Sequence, residues 1–173
     1  MNEQRYKLYI LLPALGMWLS CCIFAPELRE GAGSFIVKTQ TSPMNVLSNF
    51  QNAYVFKDSL LYSDTLDSGF IFISKNYSTT PPTDIIWGRD VDIRTTVRLF
   101  RHFNDLELTW GESWRDSLSY TIIGDSAGIR VTFQLTLDSG REIPTVKGEA
   151  DFVFKKGVKG IWRIRRWDDL STF

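Results

Sequence analysis

Cysteine and histidine are almost absent from this chain of 173 residues, and their absence limits its chemistry. The two cysteines are Cys21 and Cys22, so no disulfide framework and no thiolate metal site is available after position 22. His102 is the single histidine, and one imidazole without a thiol cannot complete a usual zinc site. We therefore expect no metal and no cofactor.

Neither sign of charge is in excess, since 20 Lys and Arg balance 20 Asp and Glu. Proteins that bind nucleic acid through its phosphates carry a basic surplus, so the balance argues against a nucleic-acid partner. Arginine is concentrated near the C-terminus, at Arg163, Arg165 and Arg166. Because Glu149 and Asp151 are expected on the adjacent strand, we predict cross-strand ion pairs there.

A run long enough to span a membrane is also missing near the N-terminus. Arg5 and Lys7 precede the almost uncharged residues 8–19, which fall short of the roughly 18–20 apolar residues that cross a bilayer. A basic region followed by a short apolar region and small residues is typical of a cleaved signal. We assign residues 1–21 to a signal peptide.

The end of that signal resembles the lipobox of bacterial lipoproteins, in which a cysteine is lipidated and becomes the mature N-terminus. The stretch is Leu19-Ser20-Cys21-Cys22. Cys21 follows the small Ser20 and is our preferred lipidation site, whereas Cys22 is the alternative because Leu19 then occupies the usual aliphatic position. A plain secretory signal is the remaining interpretation.

The lipobox resemblance implies attachment to a membrane through an N-terminal lipid anchor, in the bacterial cell envelope. No Asp follows either cysteine, which implies the periplasmic face of the outer membrane. Residues 22–41 lack a regular period and carry Pro26, Gly31 and Gly33, so we predict a tether. Residues 35–37 could alternatively form a short edge strand, and a domain is expected over residues 42–173.

Hydrophobic periodicity predicts three helices in that domain. Ser42-Pro43 is a helix start, with a capping serine before a proline at the first helical position. We expect helices from there through Tyr54, over residues 59–66, and over residues 90–103. On the third helix, the predicted buried face is Ile93, Val97 and Phe100.

The remaining residues favour strands. Residues 129–137 alternate strictly between apolar and polar side chains, and residues 146–155 and 161–167 continue the pattern after turns that contain glycine. Shorter strands are expected at residues 70–73, 106–110 and 118–122, and residues 75–83 are predicted as a polar loop. The fold class is therefore α+β, with a curved antiparallel sheet of about five to six strands wrapped around three helices.

This order of elements resembles the NTF2-like (nuclear transport factor 2-like) superfamily. Gly160-Ile161-Trp162-Arg163-Ile164 is similar to its final strand, and further matching residues open the domain: Phe50, Tyr54, Asp58, Tyr62, Leu66, Asp67, Phe70 and Phe72. The resemblance implies a cone with a pocket between sheet and helices. The superfamily includes ketosteroid isomerase, dehydratases, SnoaL-like cyclases and members without catalysis, so the fold alone does not decide function.

Few acids are placed for catalysis in such a cone. In ketosteroid-isomerase-like members the carboxylate base lies in or just after the first strand, but residues 70–74 contain no acid, which favours a non-enzyme. The catalytic candidates are Asp90 or Asp92 as base, with Tyr54 as a hydrogen-bond donor. Acids in a first helical turn are also expected from the helix dipole, and Tyr54 could simply be a core aromatic. No Gly-x-Ser-x-Gly elbow or phosphate-binding loop is present.

Aromatic side chains supply the candidate ligand site. They could line a pocket for a small apolar ligand, or fill the core and the face of a homodimer that pairs through the sheet. The predicted ligand-binding residues are Tyr54, Trp87, Trp110, Tyr120, Phe133 and Trp162. The leading hypothesis is a non-catalytic binding or interaction module in the envelope. The alternatives are a SnoaL-like or dehydratase-like enzyme acting on a small apolar substrate, and a structural dimerising subunit.

Overall fold

The computed structural model describes residues 36–111 and 120–171, which lie in one compact unit, Ile36–Phe173. Its helices are α1 (Pro43–Val55), α2 (Ser59–Thr65) and α3 (Arg89–His102). Its strands are β1 (Leu66–Asn76), β2 (Thr83–Gly88), β3 (Asp105–Trp110), β4 (Tyr120–Ile123), β5 (Ser126–Asp138), β6 (Thr145–Lys156) and β7 (Trp162–Asp169). Within these described ranges, no helix is both long and apolar enough to cross a membrane. The predicted signal peptide and both candidate lipidation cysteines lie outside the described residues.

The first two helices begin where their capping residues predict. The Ser42 hydroxyl accepts a hydrogen bond from the Asn45 backbone N–H at 3.2 Å, and Pro43 occupies the first helical position. The Asp58 carboxylate caps α2 by accepting from the backbone N–H groups of Leu60 and Leu61, each at 2.9 Å. Each cap satisfies donors that have no partner inside the helix.

The sheet has the order β2-β1-β7-β6-β5-β3, and β4 also pairs with β5. It is mixed rather than purely antiparallel, because β1 and β7 run parallel. These two strands lie at opposite ends of the domain sequence, so no short hairpin turn fixes their relative direction. With seven strands the sheet exceeds the predicted five to six. The α+β class with three helices is confirmed.

The extra strand is β2. Its first residue, Thr83, is the last residue of the predicted loop, and no element is predicted for the rest of the strand. All its residues except Trp87 are exposed, so it lacks the alternation that marks a half-buried strand. The adjacent strand β1 is also longer than predicted, because it starts at Leu66 and its pairing with β7 shifts register between Leu66 and Ile71. Such an irregularity interrupts the periodicity from which strand ends are read.

The inner face of the sheet carries the core, and α1 covers it. The alternation predicted for β5 and β6 is confirmed, since Ile129, Val131, Phe152 and Phe154 are at most 2% exposed. From α1, Phe50 is 1% exposed and packs edge-on against Phe152, with 5.8 Å between ring centroids. Burying an aromatic side chain of this size contributes roughly 1.5–3 kcal/mol to folding.

The residues just ahead of α1 are bound to the domain. Lys38 and Asn49 exchange two hydrogen bonds between the Lys38 backbone and the Asn49 side chain, at 2.9 and 2.7 Å. The Gln40 carbonyl accepts from the backbone N–H of Trp162 at 2.8 Å, and its side chain donates to Asp64 at 2.6 Å. Part of the predicted tether therefore packs on the domain. Its Ile36 and Val37, where a short strand was considered, have no regular secondary structure.

Candidate functional site

A buried carboxylate, Asp92, lies in the first turn of α3 and is 4% exposed. The Tyr62 hydroxyl on α2 donates a hydrogen bond to its Oδ2 at 2.5 Å. The Trp87 indole N–H on β2 donates to its Oδ1 at 3.0 Å. Each carboxylate oxygen therefore has a donor from a different element, as a buried charge requires.

The orientation of α3 explains why this acid is buried. Asp92, Thr96 and Phe100 are the buried residues of the helix and are spaced four apart, so they lie on one face. Of the predicted buried face, Phe100 is confirmed, whereas Ile93 and Val97 are only partly buried and Ile93 packs against the core. The spacing from Phe100 back to Asp92 was a signal in the sequence. Apolar periodicity alone does not reveal it, because Asp92 and Thr96 are polar.

Asp92, Tyr62, Trp87 and the nearby Tyr54 form a group that we call the Asp92 cluster. Burial controls the ionisation of its acid and its two tyrosines. Desolvation raises the pKa of Asp92, and the hydrogen bonds from Tyr62 and Trp87 offset only part of that rise. Desolvation also raises the pKa of Tyr54, with a further contribution from the Asp92 charge, against opposing hydrogen bonds with Thr96 and Tyr62. The pKa of Tyr62 rises for the same leading reason, followed by its proximity to Tyr54 and Asp92. Both tyrosines are thus neutral at physiological pH.

Next to this cluster lies a small cavity of about 30 Å³ inside the cone. Its walls are almost entirely apolar and comprise Phe50, Tyr54, Leu108, Trp110, Phe133, Leu135, Phe152 and Trp167. A water molecule needs roughly 10–15 Å³ by this measure, and typical ligand pockets span about 300–1,000 Å³. The interior formed by the described residues is therefore nearly filled.

The predicted ligand-binding residues separate into two groups. Tyr54, Trp110 and Phe133 line the cavity. Trp87 instead stacks on Phe72 with ring centroids 4.3 Å apart. Trp162 is 5% exposed and lies under the Lys156 ammonium, away from the cavity walls. The side chain of Tyr120, like all of Trp114, lies outside the described residues.

The catalytic candidates also occupy different environments. Asp90 is exposed and borders a surface cleft with Gly88 and Arg89, whereas Asp92 faces the core. The structure brings Asp92 close to Tyr54 but does not pair the two acids. His102 is exposed at the C-terminus of α3, where its ring contacts Phe103. Sequence reasoning missed Tyr62 and Trp87 as partners of Asp92.

The arginines of β7 form ion pairs, as predicted, but not with the predicted acids. The pairs are Arg163 with Asp64 at 2.8 Å, Arg165 with Asp67 at 2.7 Å and Arg166 with Asp168 at 2.7 Å. Glu149 and Asp151 instead contact Arg130, which lies directly opposite Asp151 on β5. In the register of β6 with β7, Arg163 lies opposite Lys155 and Arg166 opposite Val153. Asp151 therefore lies opposite Asp168 rather than an arginine.

Comparison with solved structures identifies the fold as NTF2-like. A superfamily protein from Salmonella enterica serovar Typhimurium superposes with a TM-score of 0.56 at 13% identity, over 74% of this chain and 87% of that one. A proposed dehydratase of the NTF2-like family from Streptomyces avermitilis gives 0.56 at 14% identity, over 74% and 91%. A proposed scytalone dehydratase from Novosphingobium aromaticivorans gives 0.58 at 12%, over 75% and 81%. No protein-family model matches the sequence, and no curated protein is significantly similar to it.

The Asp92 cluster generates a stability prediction. Asp92→Ala leaves the Tyr62 hydroxyl and the Trp87 indole N–H buried without an acceptor, so we expect a loss of about 2–4 kcal/mol in the free energy of unfolding. Asp90→Ala is the matched control, because Asp90 is exposed two residues earlier on the same helix and should change stability by less than about 0.5 kcal/mol. Urea unfolding of both variants measures the difference. Equal losses would contradict a structural role for the buried acid.

A second prediction concerns pH. The pKa of Asp92 is raised above its ordinary value of 3.8, so the folded chain holds this proton more tightly than the unfolded chain. Its contribution to stability is thus complete below pH 3.8 and declines as the pH rises through the folded pKa. In urea unfolding, the wild-type chain should gain stability relative to Asp92→Asn on moving from neutral to mildly acidic pH. A difference that does not vary with pH would show that this pKa is not raised.

Proposed function

We propose that this chain is a non-catalytic binding or interaction module with an NTF2-like fold, attached to the bacterial envelope by a lipid on Cys21, or on Cys22 as the alternative. The observation that carries the proposal is the filled interior of the cone. A cavity of about 30 Å³ is too small for most substrates, and Asp92 already accepts two hydrogen bonds. The domain then acts through its surface.

The outer face of the sheet is the surface best suited to a partner. A groove of about 550 Å³ crosses β5, β6 and β7, and the ion pairs Arg130–Asp151 and Arg166–Asp168 border it. Beside it Ile123, which is 76% exposed, lies next to Gly128 and Val153 in an apolar hollow. A surface that carries both signs of charge beside an apolar hollow can be complementary to an identical surface. This favours a second copy of this chain, related by a two-fold axis, as the partner.

The sequence supports the proposed anchor and the proposed location. The stretch around Cys21 supports lipidation at the start of the mature chain, and several acyl chains on one residue give stable attachment. We propose the periplasmic face of the outer membrane as the location, because no Asp follows either cysteine. This arrangement places the domain at the membrane with the outer face of its sheet available to a partner.

Mass spectrometry of the chain purified from bacterial membranes tests this proposal. The denatured chain should begin at Cys21 with acyl chains attached, and Cys21→Ser should abolish them; acylation that survives in Cys21→Ser points to Cys22. An unmodified mature chain would refute the anchor. Under native conditions we expect a dimer that dissociates in Ile123→Asp. Val158→Asp is the control, because Val158 is fully exposed in the turn after β6, and a wild-type monomer would refute pairing through the sheet.

A second candidate function is dehydration or isomerisation of a small substrate. Two observations favour it, namely the proximity of Tyr54 to the Asp92–Tyr62 pair and the proposed dehydratases among the similar folds. Tyr54→Phe removes a hydroxyl at the cavity while keeping the ring. Dehydration of small hydroxyketones is measured by the absorbance of the enone product. If the wild-type chain catalyses this reaction, Tyr54→Phe should lower its turnover about 10²–10⁴-fold. Such a loss in a folded variant would overturn the non-catalytic proposal. No turnover by the wild-type chain would support the non-catalytic proposal.

A further inference from the structure

Three arginines form a row along the outward side of α3. Arg94, Arg98 and Arg101 are all exposed, and we call them the arginine stripe. Helical geometry places them within about 60° of one another and spreads them over about 10 Å along the axis. The buried residues Asp92 and Phe100 lie on the other side of the same helix. The stripe therefore points directly away from the core.

No acid in the described part of the chain forms an ion pair with this stripe. The ion pairs there involve Lys75, Arg130 and the arginines of β7. Asp90, an exposed acid one turn earlier on α3, makes no ion pair with Arg94 among the described residues. Like charges spaced three or four residues apart destabilise a helix by a few tenths of a kcal/mol per pair.

A fourth cation extends the positive region beyond the end of the helix. The Lys57 ammonium donates to the backbone carbonyls of Phe103 and Asn104, at 3.3 and 2.6 Å. These acceptors are uncharged, so they hold the ammonium in place without cancelling its charge. The arginines of β7 differ, because each is paired with an aspartate. The arginine stripe and Lys57 thus bring together four cations that make no ion pair with an acid of the described domain.

We propose that the arginine stripe docks the domain on anionic phospholipid headgroups. The stripe follows the convex back of a helix, a shape that meets a flat surface and lacks the groove that would enclose an acidic peptide. Guanidinium groups bind phosphate oxygens in a bidentate manner, and each arginine near an anionic surface adds to membrane affinity. The inference rests on the proposed lipid anchor, which would hold the domain within about 50 Å of the bilayer, the extended length of residues 22–35.

Vesicle co-sedimentation of the unit Ile36–Phe173 tests the proposal without the anchor. This unit contains the complete core described above, and its near-UV circular dichroism verifies folding before binding is measured. We expect binding to vesicles of phosphatidylcholine with phosphatidylglycerol, weakening with salt, and little binding to phosphatidylcholine alone. Replacing one stripe arginine with Gln should weaken binding roughly fivefold, and replacing all three on the order of 100-fold.

The control removes the same net charge from another part of the domain. Lys147, Lys155 and Lys159 are exposed on β6 and in the turn that follows it, and the triple Gln variant should bind anionic vesicles nearly as well as the wild type. An equal loss of vesicle binding in both triple variants would overturn the stripe as the docking surface. So would equal binding of the wild type to vesicles with and without phosphatidylglycerol, or binding to neither. A domain that binds through the stripe while the purified chain carries no acyl group refutes the anchor only.

Discussion

The structure depends on the two hydrogen bonds that the Asp92 carboxylate accepts. Asp92 belongs to α3, Tyr62 to α2 and Trp87 to β2, so one buried carboxylate joins α2 to the later, contiguous elements β2 and α3. Without either donor the carboxylate would be an unpaired buried charge, which costs several kcal/mol. The three elements therefore hold one another in a single arrangement.

A network of aromatic contacts extends from the Asp92 hydrogen bonds into the interior of the cone. Trp87 stacks on Phe72, and Phe72 meets Trp167 edge-on with ring centroids 4.9 Å apart. Phe50 contacts Trp167 and also Tyr62, which closes the network on the helical side. Because these large side chains occupy the centre of the cone, the cavity left among them is only about 30 Å³. This nearly filled interior supports the proposal that the domain acts through its surface.

The sequence predicts best those elements that local physics decides. The cap at Ser42 and the alternation of residues 129–137 each follow from a few neighbouring residues, and both are confirmed. The strand β2 depends on its pairing with β1, and the inward turn of Asp92 depends on Tyr62, 30 residues earlier; both escaped prediction. A carboxylate is normally read as solvent-facing, and only the meeting of Tyr62 with Trp87 makes its burial favourable. The resemblance to the NTF2-like superfamily predicts the fold. Whether the interior of the cone is hollow or filled depends on how its aromatic side chains pack, which the sequence does not reveal.

The distribution of charge then separates two surfaces with different roles. On the outer face of the sheet, Arg130 and Arg166 are matched by acids, so that face suits a protein surface of similar balance. On α3 the arginines of the stripe make no ion pair within the described domain, so that side suits a surface that brings its own negative charge. The helices cover the inner face of the sheet, and the arginine stripe and the outer face therefore point in different directions. A domain docked on lipid through α3 would keep its sheet free to pair, so the two proposals are compatible in one molecule.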